Sequence, residues 1–235
     1  MIVAIVAAVV LVGVVVAAVA TVARTGSAEA LTGRVALLGY LHFASAVSTL
    51  VIAVGLVSLV TAALTVPAGR DFSYRIAVPR PPPVARPAGV PAPPGVSEEE
   101  IRRQNEVQAE NQRKDDLVRG LTLGLVGLVI WGLHTLGLRA LETPEERRHS
   151  ALSRLHRLGL LAIFGAAGLV ALPLAAYELA RYVVLGSDDF DPGRPGNAVA
   201  TAVVVLPIWL YELWQTLRVY RRPSPDSRVR QEPAG

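Results

Sequence analysis

The chain has 235 residues, 52% hydrophobic and 18% charged, with a mean hydropathy of +0.44. A soluble domain carries about a quarter charged residues, and the apolar residues here are gathered into long runs of the kind a bilayer selects. The absence of cysteine excludes disulfides, thiolate metal sites and cysteine nucleophiles, and the +4 charge, almost wholly arginine because Lys114 is the only lysine, suits topology setting and contact with anionic lipid, so no nucleic-acid partner is implied.

The first run, Ile2 to Ala23, has no charge and is long enough to cross ~30 Å of hydrocarbon at about 1.5 Å per residue. A signal peptide would have a positive start and a shorter apolar core. Although AVATVA resembles a cleavage site, the reading is a retained first helix, residues 1–24. Further runs follow at about Val35 to Val66, Leu121 to Leu138, Leu158 to Leu185 and Val199 to Val219. In lipid every backbone polar group must be satisfied within the segment, so each reads as a helix despite its β-branched content.

Between the second and third runs lies an insert, residues 67–119. Its first part, Val78 to Pro94, is proline-rich and favours extended polyproline II. A polar helix follows, opened by a capping box at Ser97 and Glu100 and supported by Glu98–Arg102, Glu99–Arg103 and Glu110–Lys114 at i,i+4. It has no breaker before Gly120 and runs toward the third span. Thr143-Pro144-Glu145-Glu146 is a second capping box, predicted to start a basic helix that leads into the fourth span. The linker GSDDFDPGRPGN reads as a solvated turn, its aspartates lacking EF-hand spacing. Residues 223–235 form a polar tail.

Part of the chain is duplicated. Shifting by 120 positions brings Arg34, Leu38, Gly39, Leu41 and Ala46 onto Arg154, Leu158, Gly159, Leu161 and Ala166. Ile130-Trp131 likewise matches Ile208-Trp209, and both helices close on arginine, Arg139 and Arg218. Each unit is thus an Arg-led helix followed by an Ile-Trp helix: 34–66 with 120–139, then 154–222. Two helices return the chain to its starting side, so the copies should be parallel repeats about the membrane normal. The fold class expected is an all-α membrane protein of about five transmembrane helices, the last four as two parallel two-helix repeats, plus a polar extramembrane helix.

IWGLH (Ile130 to His134) followed by PEERRHSALSRLHRLGLL (Pro144 to Leu161) resembles bacterial multi-pass proteins of the domain of unknown function five-six-seven-one family. The resemblance covers roughly Arg34 to Arg222. It departs at Arg34-Val35-Ala36 and Arg154-Leu155-His156, and at Glu212, which stands at the His134 position. It implies a helical membrane fold and no activity.

Arginine near helix ends sets topology. Arg24, Arg34, Arg139, Arg147, Arg148, Arg154, Arg157, Arg218, Arg221 and Arg222 fall on one side, so the N-terminus is expected outside and the C-terminus inside. Arg-over-Lys usage with abundant Ala, Val, Leu, Gly and Pro suggests a GC-rich bacterial genome, hence the bacterial cytoplasmic membrane. Arg34, Trp131, Arg139, Arg154, Trp209 and Arg218 read as interface anchors, and Trp214, Tyr211 and Tyr220 as further aromatic-belt residues. Gly120 with Gly124, and Gly165 with Gly168, read as helix-contact signals.

Ionisable groups inside lipid are functional candidates by default. Glu178, Arg181 and Glu212 are the intramembrane candidates, Glu178 and Arg181 being able to pair at i,i+3. His42 and His134, at similar depth, are weak candidates for b-haem ligands; the interfacial-histidine reading is preferred and no cofactor is expected. No catalytic or metal motif appears in a credible context. The leading expectation is a non-enzymatic structural or accessory subunit of a membrane assembly, whose partners are the lipid bilayer and other membrane proteins or a second copy. The alternative is a small transporter or channel built from a parallel repeat, with Pro173 and Pro207 inside spans; a haem-binding redox subunit ranks third. An aqueous cavity at the repeat interface lined by Glu or His would favour the transporter, and a solid Leu/Val/Ala-packed interface the structural role.

Overall fold

The computed structural model describes residues 33–74, 98–185 and 195–220, all of which belong to helices or the short joints between them. The first apolar run, the proline-rich segment, Ser97, the acidic turn and the C-terminal tail lie outside the described residues. Six helices are described: α1 (Gly33–Ala68), α2 (Arg70–Tyr74), α3 (Glu98–Leu141), α4 (Pro144–His149), α5 (Ala151–Leu185) and α6 (Pro195–Tyr220). Four of them are long and apolar enough to cross a membrane.

Local sequence explains the boundaries. α1 ends at Ala68 because Gly69 takes φ +86, the left-handed conformation that closes a helix. α3 runs unbroken for 44 residues, about 66 Å, from the polar stretch into the third apolar run. Glu99–Arg103 at 3.0 Å and Glu110–Lys114 at 3.9 Å support its polar part, with Arg113 also on Glu110 at 3.1 Å. Thr143 caps α4 as the sequence predicts: its side chain accepts from the Glu146 N–H, and the Glu146 carboxylate accepts from the Thr143 N–H.

The helix predicted to run on from Thr143 into the fourth span is instead two helices. Ser150 breaks it, with extended backbone at φ −62 and ψ 144. Its N–H donates to the Glu146 carbonyl, while its Oγ accepts from the Ser153 N–H at 3.1 Å. One serine therefore closes α4 and caps α5, the competition with helical backbone for which serine is suited.

The helices divide between two compact units. Of the described residues, unit 1 holds 33–52, 126–170 and 203–220, and unit 2 holds 53–74, 98–125, 171–185 and 195–202. In unit 1, Leu38, Leu41 and Leu138 form a buried cluster with Leu152 packed on it. Leu160, Ile163 and Phe164 are buried from α5. Glycines let helices approach: a β-carbon at Gly127 would lie 2.8 Å from the Ile52 side chain, and one at Gly165 3.0 Å from Trp209 Nε1.

In unit 2 the buried apolar positions are mostly alanine, including Ala53, Ala62, Ala171, Ala175, Ala198, Ala200 and Ala202. The α1 and α3 backbones touch there. A β-carbon at Gly55 would fall 2.7 Å from Gly124 N and 2.9 Å from the Gly120 carbonyl oxygen. α2, not foreseen from the sequence, buries Phe72, Ser73 and Tyr74. Phe72 packs edge-on against Tyr182, and the Tyr74 hydroxyl donates to Asp116 at 2.9 Å.

Large apolar side chains such as Leu125, Leu169 and Val184 point outward, and in unit 2 most of the residues that pack inward are small. That distribution suits helices solvated by lipid, where close backbone approach takes the place of hydrophobic collapse. Ser48, Thr49 and Thr61 donate to carbonyls one turn back, at 2.7–2.9 Å, so their hydroxyls need no water.

Candidate functional site

Unit 1 contains a cavity of about 690 Å³. Four long helices and the short α4 line it, the long ones with side chains at helical spacing. α1 contributes His42, Ser45 and Thr49; α3 contributes Trp131, Thr135, Leu138 and Arg139. α5 gives Ser153, His156, Arg157 and Leu160, and α6 gives Ile208, Tyr211, Glu212 and Gln215. Residues three, four and seven apart share a helix face, so each stripe faces one space. Glu142 and Arg147 enter from the end of α3 and from α4.

Glu142 is the most enclosed charge, its side chain 1% exposed. It stands just past α3, where its N–H still donates to the Leu138 carbonyl at 2.9 Å. His42 Nε2 lies 2.9 Å from Glu142 Oε1 in a buried contact, a hydrogen bond between imidazole and carboxylate. On the other side, Glu142 Oε2 is 3.9 Å from Arg147 Nε, an ion pair in which neither atom makes a hydrogen bond. His42 Nδ1 is also buried without a partner. The His42 ring lies 5.2 Å, centroid to centroid, from that of His156, which brings a second imidazole beside the pair.

An arginine chain runs along the same wall. Arg157 donates to the Arg147 carbonyl at 3.3 Å, and Arg147 donates to the carbonyls of Arg139 at 3.4 Å and Glu142 at 3.3 Å. The joint holding Glu142 and Arg147 is clamped from α1: Arg34 makes two hydrogen bonds to the Glu146 carboxylate, at 3.0 and 2.9 Å, and one to the Leu141 carbonyl at 3.0 Å. The Arg34 bond, then the Thr143 N–H, draw the Glu146 carboxyl down to about 2. The forked geometry is the one that makes arginine–carboxylate pairs directional.

The residues singled out in the sequence are distributed as follows. Glu212 lines the cavity, and so do Arg139 and Trp131. His42 does as well, but its Nε2 is engaged by Glu142. His134 has other neighbours: its Nδ1–H donates to the Ile130 carbonyl at 2.7 Å and its ring lies 5.5 Å from Tyr40. The two histidines are therefore not presented to a common ligand. Trp209 packs on Gly165, and Arg218 sits 5.0 Å over the Trp214 ring. Glu178 and Arg181 belong to unit 2, where Glu178 Oε2 is buried without a hydrogen bond. Glu142, His156 and Arg157 were not anticipated, although Ser153, His156 and Arg157 repeat at the spacing of one helix face. Among the described residues no group of three His, Asp or Glu side chains is placed to hold a metal.

Unit 2 has a smaller polar pocket of about 280 Å³, lined by residues including Tyr74, Asp115, Asp116 and Arg119. Its charges are partly matched, with Arg119 at 3.8 Å from Asp116.

No family model, no curated protein and no solved structure matches the chain. The unit 1 cavity combines a hydrogen-bonded carboxylate–imidazole pair, several guanidinium donors and apolar walls, the makings of a site for a small polar molecule.

Proposed function

We propose that this is a multi-pass membrane protein that binds a small polar solute in the unit 1 cavity and passes it across the bilayer, placing it with transporters or channels. The observation that carries the reading is the cavity lined by His42, Glu142, His156 and Glu212. Ionisable groups are costly within membrane helices and are retained where they face a cavity or a partner. A purely structural or accessory subunit needs no such convergence, and solid apolar packing is what that role would present.

The proposal includes the architecture expected from the sequence: a further helix over residues 1–24, two parallel repeats led by Arg34 and Arg154, and a non-enzymatic role in a bacterial cytoplasmic membrane. It also includes an outside N-terminus and an inside C-terminus. Haem forms no part of it, because His134 bonds the Ile130 carbonyl and packs beside Tyr40 rather than lining the cavity with His42.

Flux measurement tests the function. Proteoliposomes of the full chain are assayed with radiolabelled phosphate, acetate, alanine and glycerol, spanning anionic, zwitterionic and neutral solutes. Protein-dependent movement of one of them, abolished in Glu142→Gln, is the expected result. Rates equal to protein-free vesicles for all four would return the protein to the structural class. Orientation is tested by cysteines at Pro82 and Ser224 with an impermeant reagent in intact cells: Pro82→Cys should label, and labelling of Ser224→Cys alone would reverse the topology.

A further inference from the structure

We propose that Arg139, Arg147 and Arg157 form a seat for a phosphate group inside the unit 1 cavity, an inference that rests on the solute-binding reading above. The three residues come from α3, α4 and α5 and are held together by the side-chain-to-carbonyl bonds from Arg157 to Arg147 and from Arg147 to Arg139. All three line the same cavity. Like charges gathered in one space repel, and the carboxylates available do not balance them. Glu142 is turned to His42 through Oε1, and its Oε2 lies 3.9 Å from only one of the guanidiniums. Glu212 is the one other carboxylate in the lining, so three fixed positive charges face at most two negative ones.

The donors are also underused. Each guanidinium carries five N–H groups in a rigid fork. The bonds made by Arg147 and Arg157 are long ones to backbone carbonyls, at 3.3–3.4 Å. Arg147 Nε is buried with no hydrogen bond at all, and the wall in front of it holds the carboxylate oxygen Glu142 Oε2, equally unsatisfied. An entering anion gives these donors acceptors and relieves the repulsion along the arginine chain. Arginine forks match the paired oxygens of phosphate, and three forks serve a tetrahedral oxyanion with several acceptor oxygens better than they serve a single planar carboxylate. The phosphate has two sources with the same chemistry, a free phosphate or phosphomonoester in water and the headgroup of an anionic phospholipid.

Thermal unfolding of the purified full chain separates these sources. It is measured at fixed ionic strength, in neutral detergent with increasing inorganic phosphate, and in nanodiscs of phosphatidylcholine with or without phosphatidylglycerol. Binding to the folded state raises the midpoint with the logarithm of ligand concentration above its dissociation constant. A logarithmic rise that sets in above a definite phosphate concentration identifies a soluble ligand, and a rise confined to phosphatidylglycerol discs identifies a headgroup. Arg139→Gln and Arg157→Gln should each move that onset to about tenfold higher phosphate, the loss of one charge-assisted contact. Arg218→Gln, at a residue outside the cavity lining, should leave it unchanged. Should a glutamine variant not fold, Arg139→Lys, which keeps the charge and loses the fork, should still weaken binding. No rise with either ligand, or an equal rise in all variants, overturns the phosphate seat. If a cysteine at Thr135 still reacts with a hydrophilic thiol reagent, the solute cavity survives that failure; if it does not, both readings fall.

Discussion

Replacing Gly55 by alanine tests the closest helix contact in unit 2. The added β-carbon would sit 2.7 Å from Gly124 N, 2.9 Å from the Gly120 oxygen and 3.1 Å from Gly124 Cα, where ordinary contact begins at 3.4 Å. All three obstacles are backbone atoms, so no side-chain rotamer relieves the clash, and α1 and α3 must separate locally by about 0.7 Å at the tightest point, the difference between 3.4 and 2.7 Å. Overpacking of this kind costs about 1–3 kcal/mol. Alanine's better helix propensity offsets up to about 1 kcal/mol of that. Gly39→Ala provides the control, because nothing lies within 4 Å of its β-carbon, so only the propensity gain operates. Unfolding in mixed micelles, followed by helical circular dichroism and tryptophan fluorescence, should place Gly55→Ala below Gly39→Ala by about 2 kcal/mol. Equal stability of the two variants would mean that the α1–α3 contact is not made as described, since propensity would then be the only force acting.

His42→Leu should destabilise by about 3 kcal/mol, because it leaves the enclosed Glu142 without its hydrogen-bond partner; a double-mutant cycle with Glu142→Leu should recover much of the loss, and additive effects would disprove the coupling. Acid should weaken the joint at α4. The Glu146 carboxyl is held at about 2 against an ordinary 4.5, so its stabilising effect is complete above about pH 4.5 and is lost as pH falls toward 2. Arg34→Gln should flatten that part of the pH–stability curve, and an unchanged slope would separate the Glu146 shift from Arg34.

The parts of the fold that depend on neighbouring residues were legible in the sequence. Apolar runs of sufficient length marked the four described helices that are long and apolar enough to cross a membrane, and the Thr143–Glu146 capping box appears with both of its hydrogen bonds. The uninterrupted polar-to-apolar course of α3 followed from the absence of a helix breaker before Gly120. Ser150 was the exception, since a serine in a helical pattern is read as a weak helix residue unless its caps are considered on both sides. The cavity was hidden for a different reason. His42 and Glu142 are 100 positions apart, and Arg34 and Glu146 are 112 apart. In the sequence Glu142 is one acid in a charged linker, indistinguishable from a solvated one until helix packing encloses it. Glu212 and Arg139 were visible as residues near helix ends, but neither carried a sign of what it would face. Gly55 was equally silent, because a glycine in an apolar run gives no indication of the backbone opposite it.

The most direct test of the polar cavity uses the natural absence of cysteine. Single cysteines at Thr135, which lines the cavity, and at Leu133, which is 64% exposed on the outside of the same helix, are placed in membrane vesicles opened to reagent on both sides. A hydrophilic thiol reagent reacts only where water reaches the thiol. Rapid modification of Thr135→Cys and protection of Leu133→Cys by lipid are the expected results. Protection at Thr135, or equal reaction at both positions, would contradict a water-filled cavity within membrane helices.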